Sequence, residues 1–200
     1  MVSPRRNGQV MVREISRAEL GELEAHLLAL DSDDRRLRFG VPVGDAAVRA
    51  YVARVDFDRA AVLGIVDDEL RLVGAAHLAR SNRNEAELGI SVLPGHRGRG
   101  LGGALLARAH THARNWDVRA LFMHCLAENG PIMHLARKQG MKIVAKAGEA
   151  DAWLKLPPAD AASRFGEVFA QRVAVFDHAM KTRLAGAARI AAAWSQKKAA

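Results

Sequence analysis

A glycine-rich segment in the middle of the chain constrains the fold more than any other feature. It spans residues 88–106 and joins a predicted strand to a predicted helix. Gly98, Gly100 and Gly103 formally match the G-x-G-x-x-G pattern of dinucleotide-binding folds. Such a fold requires the pattern after an early parallel strand, with an acidic residue about twenty positions later. Here the pattern lies at mid-chain and residues 118–127 contain no acid, which excludes a dinucleotide fold.

The same turn has the chemistry of an anion site. Glycines lack side chains, so backbone N–H groups can approach an anion at the positive end of the following helix. Arg97 and Arg99 can add charge-assisted hydrogen bonds. A diphosphate is the ligand that this arrangement predicts, and an ordinary glycine-rich turn is the alternative.

The hydrophobic periods predict a mixed α/β chain of the α+β type, with a largely antiparallel sheet flanked by helices. Ser16 and Glu19 form a capping box that begins a helix after a first strand at residues 9–15. A loop at residues 31–44 leads to a second helix, which Asp45 caps. The later strands are predicted at residues 60–66, 70–79, 85–93, 120–127, 141–146 and 152–156, and the later helices at 100–115 and 129–140.

A long amphipathic helix is predicted after Pro157 and Pro158. Its apolar residues recur at helical spacing: Phe165, Val168, Phe169, Val173, Phe176, Met180, Leu184, Ile190 and Trp194. Such a stripe needs a partner surface. We therefore expect a domain at residues 1–158 and a C-terminal extension at 159–200 that packs on the domain or at a homodimer interface. A membrane surface or a partner helix is the alternative, although Glu167 and Asp177 argue against a lipid-binding face.

Composition narrows the class of protein. The chain has 200 residues and a single cysteine, which excludes a disulfide framework and a cysteine-built zinc site and favours a reducing compartment. The longest apolar run, residues 60–66, is too short to cross a bilayer, and the first residues lack the apolar core of a signal peptide. We expect a soluble, cytoplasmic protein without a membrane partner.

The net charge of +8 raises the question of nucleic-acid binding. The cations are scattered along the chain rather than clustered, which argues against a nucleic-acid partner. A polyanionic small ligand accounts better for Arg97 and Arg99.

Two motifs resemble those of the GNAT acyltransferase superfamily. Arg97-x-x-Gly100-x-Gly102 resembles its acetyl-CoA signature. Its later motif is matched in register by Asn129, Ile132, Leu135, Lys138, Gly140 and Met141. The resemblance covers about residues 60–156 and implies a GNAT-like fold with acetyl-CoA as co-substrate. No carboxylate–histidine spacing indicates a metal.

The resemblance also implies which residues bind the cofactor. The strands that hold Ser91 and Cys125 would splay apart and admit the pantetheine arm. Backbone groups of residues 90–92 would pair with the arm, residues 98–103 would hold the pyrophosphate, and Asn129 would contact the far side or serve only as a helix cap. The cofactor-binding set is Ile90, Ser91, Val92, Arg97, Gly98, Arg99, Gly100, Leu101, Gly102, Gly103 and Asn129.

Acyl transfer to an amine needs a base. A free alkylamine has a pKa near 10.4, so only about one molecule in a thousand is neutral at pH 7. Glu87 is the first candidate, because a glutamate on this strand often serves as base in the superfamily. The alternative is that Glu87 is an acidic residue on the solvent-exposed face of a half-buried strand, without a catalytic role. His124 is the second candidate, although Phe122 and Leu126 on its strand face favour a hydrogen-bonded core histidine.

One position departs from the resemblance. The tyrosine that many members use as general acid is replaced by Ala136. An acid must then come from water or elsewhere, or turnover is slow. We expect an N-acetyltransferase acting on a primary amine of a small molecule or protein, and a catalytically weak acyl-CoA-binding regulatory module is the alternative. The acceptor should bind at the first two helices and the loop between them, where residues 33–39 faintly resemble bacterial protein-lysine acetyltransferases.

Overall fold

The protein folds into a seven-stranded sheet with helices on both faces. The computed structural model describes residues 10–199, with side-chain surroundings up to residue 186. The elements are β1 Arg13–Ile15, α1 Leu20–Leu28, α2 Ser32–Phe39, α3 Asp45–Ala53, β2 Ala60–Val66, β3 Leu72–Arg80, β4 Glu85–Val92, α4 Leu101–Asn115, β5 Ala120–Leu126, α5 Gly130–Lys138, β6 Lys142–Lys146, β7 Glu149–Lys155 and α6 Ala161–Ala199. Short 3-10 turns lie at Arg17–Glu19 and Pro94–His96. The predicted α/β fold with a mostly antiparallel sheet is confirmed.

A gap opens in the middle of the sheet. The strand order is β1-β2-β3-β4-β5-β7-β6, and only β4 and β5 run parallel. Their pairing extends from Glu85 opposite Ala120 to Glu87 opposite Phe122. Beyond these residues β4 continues to Val92 and β5 to Leu126 without pairing to one another. The family resemblance implied this separation between the strands that hold Ser91 and Cys125.

Strand alternation divides the core into two layers. On β4, Ala86 and Leu88 point into the layer covered by α4 and α5. Glu87, Gly89 and Ser91 therefore lie on the opposite face, where α1 and α3 cover β1 to β3. The predicted site residues of β4 thus share the face that carries α1 to α3.

The predicted loop at residues 31–44 is wrong over most of its length, because it contains helix α2. The Asp31 side chain caps this helix by accepting a hydrogen bond from the N–H of Asp34 at 2.8 Å, and Gly40 ends it with φ of +78°. Its sequence is polar and has no apolar stripe, so hydrophobic periodicity could not reveal it. Arg35 holds it in place by donating to the carbonyls of Leu28 and Leu30 at the end of α1.

The other predicted boundaries shift by a few residues. The carboxylate of Glu19 accepts from the N–H and the hydroxyl of Ser16, so the capping box is confirmed. Asp45 is the first helical residue of α3, and Gly44 is its N-cap. β1 begins at Arg13, and Gln9 lies outside the described residues.

Helix α6 contacts the domain through its polar face. Glu167 accepts hydrogen bonds from Arg108 at 3.0 Å and Asn115 at 2.6 Å, and its carboxylate lies 2.6 Å from Nδ1 of His112. Burial opposes ionisation, yet hydrogen bonds from His112 and Asn115 lower the pKa of Glu167. α6 is therefore held by charge pairing.

The apolar stripe of α6 points away from the domain. Its exposed members are Phe165, Val168, Phe169, Val173, Phe176, Met180 and Leu184. The side chains of Ile190 and Trp194 lie outside the described part. Coverage of the stripe by a second copy, and the boundary at residue 158, stay predictions. In the described part of the chain, no helix combines the length and the hydropathy needed to cross a membrane.

Candidate active site

The loop between β4 and α4 presents a run of free backbone donors. Gly98 and Gly100 have φ of +73° and +82°, a left-handed conformation that favours glycine. Gly100 is the N-cap of α4 and has no side-chain cap. Among the described residues, no protein acceptor bonds to the N–H groups of residues 98–103. This arrangement can bind an anion at the positive end of α4.

The two arginines of this loop differ in their contacts. Arg97 donates from Nε to the carbonyl of Val92 at 2.9 Å and forms an ion pair of 2.6 Å with Asp34 of α2. Arg99 is exposed and has no ion pair within the described part of the chain. Arg97 therefore links the loop to α2, while Arg99 keeps its charge available.

Helix α2 lies across the gap and contacts both β4 and β5. On the far side of the gap, Arg36 pairs with Glu128. Asn129 caps α5 by accepting from the N–H of Ile132 at 3.2 Å, and its amide nitrogen donates to the carbonyl of Leu37 at 3.3 Å. The helix-cap interpretation of Asn129 is confirmed. Its predicted contact with a cofactor is not tested by these bonds.

The position that departs from the family motif, Ala136, lies in the core. Ala136 is 1% exposed in the core between α5 and the sheet, and Met141 is buried beside it. No hydroxyl on this part of α5 reaches the gap.

His124 is not a core histidine. Its side chain is 43% exposed, and its Nδ1 lies 2.8 Å from a carboxylate oxygen of Asp151, directly across the β5–β7 pair. The hydrogen bond to Asp151 is the main reason that the pKa of His124 is raised above 6.5. The sequence-based core interpretation is wrong, because strand alternation identifies a face without showing whether anything covers it.

Glu87 lies on the same face as His124, at the point where β4 and β5 part. It is exposed, and its charge contributes to the raised pKa of His124. The structure thus brings both predicted base candidates to one region. Next to them, Phe122 stacks on Trp153 with ring centroids 4.7 Å apart.

A buried histidine that the sequence analysis missed contacts Ser91. His26 of α1 is 2% exposed, and its Nδ1 lies 2.8 Å from the carbonyl of Leu72. A carbonyl only accepts, so Nδ1 carries the proton and Nε2 accepts from the Ser91 hydroxyl at 2.8 Å. Burial lowers the pKa of His26 to about 4, which keeps the ring neutral.

A second missed group lies beside Gly89. Arg38 of α2 donates to the hydroxyl of Tyr51 at 2.9 Å, and that hydroxyl lies 2.6 Å from Nδ1 of His77. Burial, followed by the charge of Arg38, lowers the pKa of His77 to about 4. Tyr51 is the single tyrosine of the chain. These residues come from α2, α3 and β3, and no local sequence pattern connects them.

Three further residues bring ligand atoms within 4.8 Å of one another: Glu14, His112 and Glu167. Such a group could hold a metal ion, and sequence spacing could not reveal it because the residues lie on or beside β1, α4 and α6. Arg108 already pairs with Glu167 at 3.0 Å. The contacts present therefore account for the cluster as the anchor of α6.

Solved structures share this fold. The GNAT domain of an S. lividans protein named PAT is 19% identical, with a TM-score of 0.63 over 72% of this chain and 89% of that one. A ribosomal-protein-alanine N-acetyltransferase from Brucella melitensis is 23% identical, with a TM-score of 0.58 over 73% and 99%. The protein yncA from Salmonella typhimurium, solved with its cofactor acetyl-CoA, is 19% identical, with a TM-score of 0.58 over 77% and 98%.

Sequence comparison adds the family. No curated protein shows a significant match to the chain. The model of the acetyltransferase (GNAT) family matches residues 26–141, more than half of the chain and a longer stretch than the motifs alone indicated. The chain therefore belongs to the acetyltransferase (GNAT) family and is an acyltransferase enzyme.

Proposed function

We propose that this enzyme transfers the acetyl group of acetyl-CoA to a primary amine of a small molecule or protein. One observation carries the proposal. The gap between β4 and β5 runs from the free N–H groups of residues 98–103 to a carboxylate and an imidazole, Glu87 and His124. Acetyl-CoA bound to the Salmonella relative supports the choice of co-substrate. A cytoplasmic location, expected from the single cysteine, belongs to the same proposal.

The cofactor roles follow from the groups that the protein leaves unpaired. The N–H groups of residues 98–103 would hold the pyrophosphate, and Arg99 would add its charge. Backbone groups of residues 90–92 that face the gap would pair with the pantetheine arm. Arg97 would act by fixing the loop, because its guanidinium is bound to Val92 and Asp34. Bound acetyl-CoA supplies the thioester carbon that the amine attacks.

His124 is the base that the geometry favours over Glu87. Asp151 accepts the Nδ1 proton and so leaves Nε2 with a lone pair for the proton of the amine. A pKa raised above 6.5 also places this base near neutral pH, where general bases are effective. Glu87 would stabilise the imidazolium that forms.

The reaction then proceeds in two steps. The amine nitrogen forms a bond to the acetyl carbon while its proton passes to His124, and a backbone N–H of β4 stabilises the resulting oxyanion. The carbon–sulfur bond breaks next, and CoA leaves as a thiolate. A thiol with a pKa near 8.5 is a tolerable leaving group without full protonation. A residue at position 136 is therefore not required for turnover.

Release of CoA tests the proposal. Wild type is incubated with acetyl-CoA and a panel of amines and peptides, and free thiol is detected over time. We expect steady release that requires an acceptor. A regulatory module would bind acetyl-CoA with no acceptor-dependent release, and that result would refute the enzymatic proposal.

The pH profile tests the base. The rate constant kcat/KM for an alkylamine should rise with pH through the pKa of His124, because the base must be deprotonated. Asp151→Asn replaces the carboxylate that raises this pKa with a neutral amide, so the rise should move to lower pH. The ionisation of the acceptor near pH 10.4 stays the same in both proteins and serves as an internal control. An unshifted profile in Asp151→Asn would exclude His124 as the base.

A further inference from the structure

We propose that Arg38 binds a carboxylate of the acceptor, so that the substrates are amines that carry a carboxylate a few carbons away. This inference rests on the proposed acetyl transfer and adds the class of acceptor. It is carried by the position of the Arg38 guanidinium on β4 and by the absence of a carboxylate partner in the described part of the chain.

The guanidinium lies directly against the backbone of β4 at Gly89. A Cβ atom added to Gly89 would lie 2.3 Å from Cζ of Arg38. Gly89 has no left-handed φ, so its backbone conformation does not require glycine, and a larger residue here would displace the Arg38 guanidinium. Gly89 lies between Glu87 and Ser91 on the same strand face. Arg38 therefore occupies the acceptor side of the gap, one residue before the segment proposed to pair with the pantetheine arm.

In the part of the chain that the structure describes, no carboxylate pairs with Arg38. Arg13, Arg35 and Arg108 are also largely buried, and each pairs with at least one carboxylate. Among the described residues, Arg38 has no such partner, and the hydroxyl of Tyr51 is its single hydrogen-bond acceptor. A guanidinium has five N–H donors, so most of them are available to a ligand.

Neighbouring groups hold the guanidinium and leave its charge uncompensated. Its Cζ lies 5.0 Å from the ring centroid of Phe39 and 5.7 Å from that of Tyr51. His26 and His77, whose pKa values are lowered to about 4, are neutral at pH 7. The side chains in contact with the Arg38 guanidinium thus leave it as a single positive charge, which a carboxylate balances and a phosphate dianion exceeds.

The distance along β4 sets the size of the acceptor. Gly89 and Glu87 are two residues apart, which corresponds to roughly 7 Å along a strand. The acceptor must therefore hold its amine at Glu87 and His124 and its carboxylate at Arg38, with a similar distance between the two groups. Short ω-amino acids meet this requirement.

Matched pairs of acceptors test the inference. Acetylation of ω-amino acids with two to six carbons is compared with that of their carboxamides and of the corresponding aminoalkylphosphonates. In wild type we expect kcat/KM at least tenfold higher for a carboxylate than for its carboxamide, as for a charged hydrogen bond. Arg38→Gln should abolish this preference, so that kcat/KM for the carboxylate falls at least tenfold relative to that for its carboxamide, while the affinity for acetyl-CoA stays that of wild type.

A second variant repeats the test, and a third serves as the control. Gly89→Ala keeps the charge but displaces the guanidinium, so it should lose the same preference. Arg80 lies on the other face of the sheet, donates to the carbonyl of Trp116 and has no carboxylate partner among the described residues. Arg80→Gln should therefore keep the preference of wild type. Thermal unfolding of each variant verifies that it is folded.

Several results would overturn the inference. These are equal rates for carboxylate and carboxamide in wild type, a preference for phosphonate, or an equal loss for both acceptors in Arg38→Gln. Acetyl transfer only to amines that lack a carboxylate would refute the proposed class of acceptor, while the proposed acetyltransferase activity would remain supported. If acetyl-CoA binds and no amine of any kind is acetylated, both this inference and the proposed function fail.

Discussion

The two halves of the candidate active site are built in different ways. The cofactor half uses backbone N–H groups in residues 98–103, fixed by glycines with left-handed φ. The acceptor half is made of side chains from three helices, α1 to α3, and three strands, β3 to β5: His26, Arg38, Tyr51, His77, Glu87, Ser91 and His124. In this half His26 bonds to Ser91, which lies 65 positions away. The first half depends on local backbone geometry, and the second depends on polar side chains that satisfy one another. Substitutions should therefore weaken the cofactor half through backbone strain and the acceptor half through the loss of side-chain contacts.

The largest expected effect is in the acceptor half. His26→Ala removes the acceptor for the Ser91 hydroxyl and the donor to the Leu72 carbonyl, and leaves a cavity. We expect the free energy of unfolding to fall by about 3 kcal/mol, measured by urea denaturation. His134→Ala, at an exposed position of α5, should change it by less than about 0.5 kcal/mol. Similar values for the two variants would show that the His26 bonds do not stabilise the acceptor half.

Acid should weaken the same half. In the folded protein the pKa values of His26 and His77 are lowered to about 4, so the unfolded chain takes up these protons first, near pH 6.5. The free energy of unfolding should fall as pH decreases from 6.5 towards 4, by up to about 2 kcal/mol for each histidine between pH 6.5 and 5. The raised pKa of His124 acts in the opposite direction.

Urea midpoints between pH 7 and 5 measure this effect. His26→Ala should show a visibly smaller pH dependence than wild type, because one of the two neutral histidines is gone. A flat profile for wild type would contradict the account of both buried rings.

A single Cβ should weaken the cofactor half. Gly100→Ala places a side chain at φ of +82°, where the added group meets open space but the backbone conformation is strained. We expect acetyl-CoA to bind about five- to thirtyfold more weakly, which corresponds to 1–2 kcal/mol of strain, as measured by calorimetry. Gly95→Ala, in the same loop without a left-handed φ, should bind like wild type. Equal weakening in both variants would show that the affinity for acetyl-CoA does not depend on the left-handed conformation of Gly100.

The smallest effect on stability is expected at Gly89, where the side chain of Arg38 can move away from an added Cβ. In Gly89→Ala the displaced atoms belong to the flexible end of Arg38, so the free energy of unfolding should change by less than about 1 kcal/mol. In Gly64→Ala the added Cβ would lie 2.5 Å from Leu72 and 2.6 Å from Ile15 in the core, and overpacking should cost about 1–3 kcal/mol. Equal costs, measured by urea denaturation, would mean that Arg38 is held as rigidly as a core residue.

The same contrast explains what the sequence could predict. The strands, α4, α5 and the glycine loop follow local rules of periodicity, capping and glycine spacing, and their positions were predicted to within a few residues. Gly98 and Gly100 are recognisable because only their own backbone conformation matters. Asn129 is recognisable as a cap for the same reason.

Beyond Ser91 and the two base candidates, Glu87 and His124, the acceptor half was not predictable because its contacts join distant segments. Helix α2 has no apolar stripe. It is held by the hydrogen bond from its Arg35 to a carbonyl at the end of α1 and by the ion pair of its Asp34 with Arg97. His26 lies on the apolar face of α1, where a histidine gives no local sign of its partner. The exposure of His124 depends on what covers the sheet, and its own strand does not contain that information.

Thermal unfolding with and without acetyl-CoA tests the central claim, that the loop and the gap are built for an acyl-CoA. At a hundredfold excess over Kd, bound ligand adds about 2.7 kcal/mol, which raises Tm by roughly 5–11 °C for a domain of this size. Adenosine diphosphate, which lacks the pantetheine arm, should give a smaller rise at the same concentration. The account predicts a rise of this size for acetyl-CoA. An unchanged Tm at millimolar acetyl-CoA would contradict it.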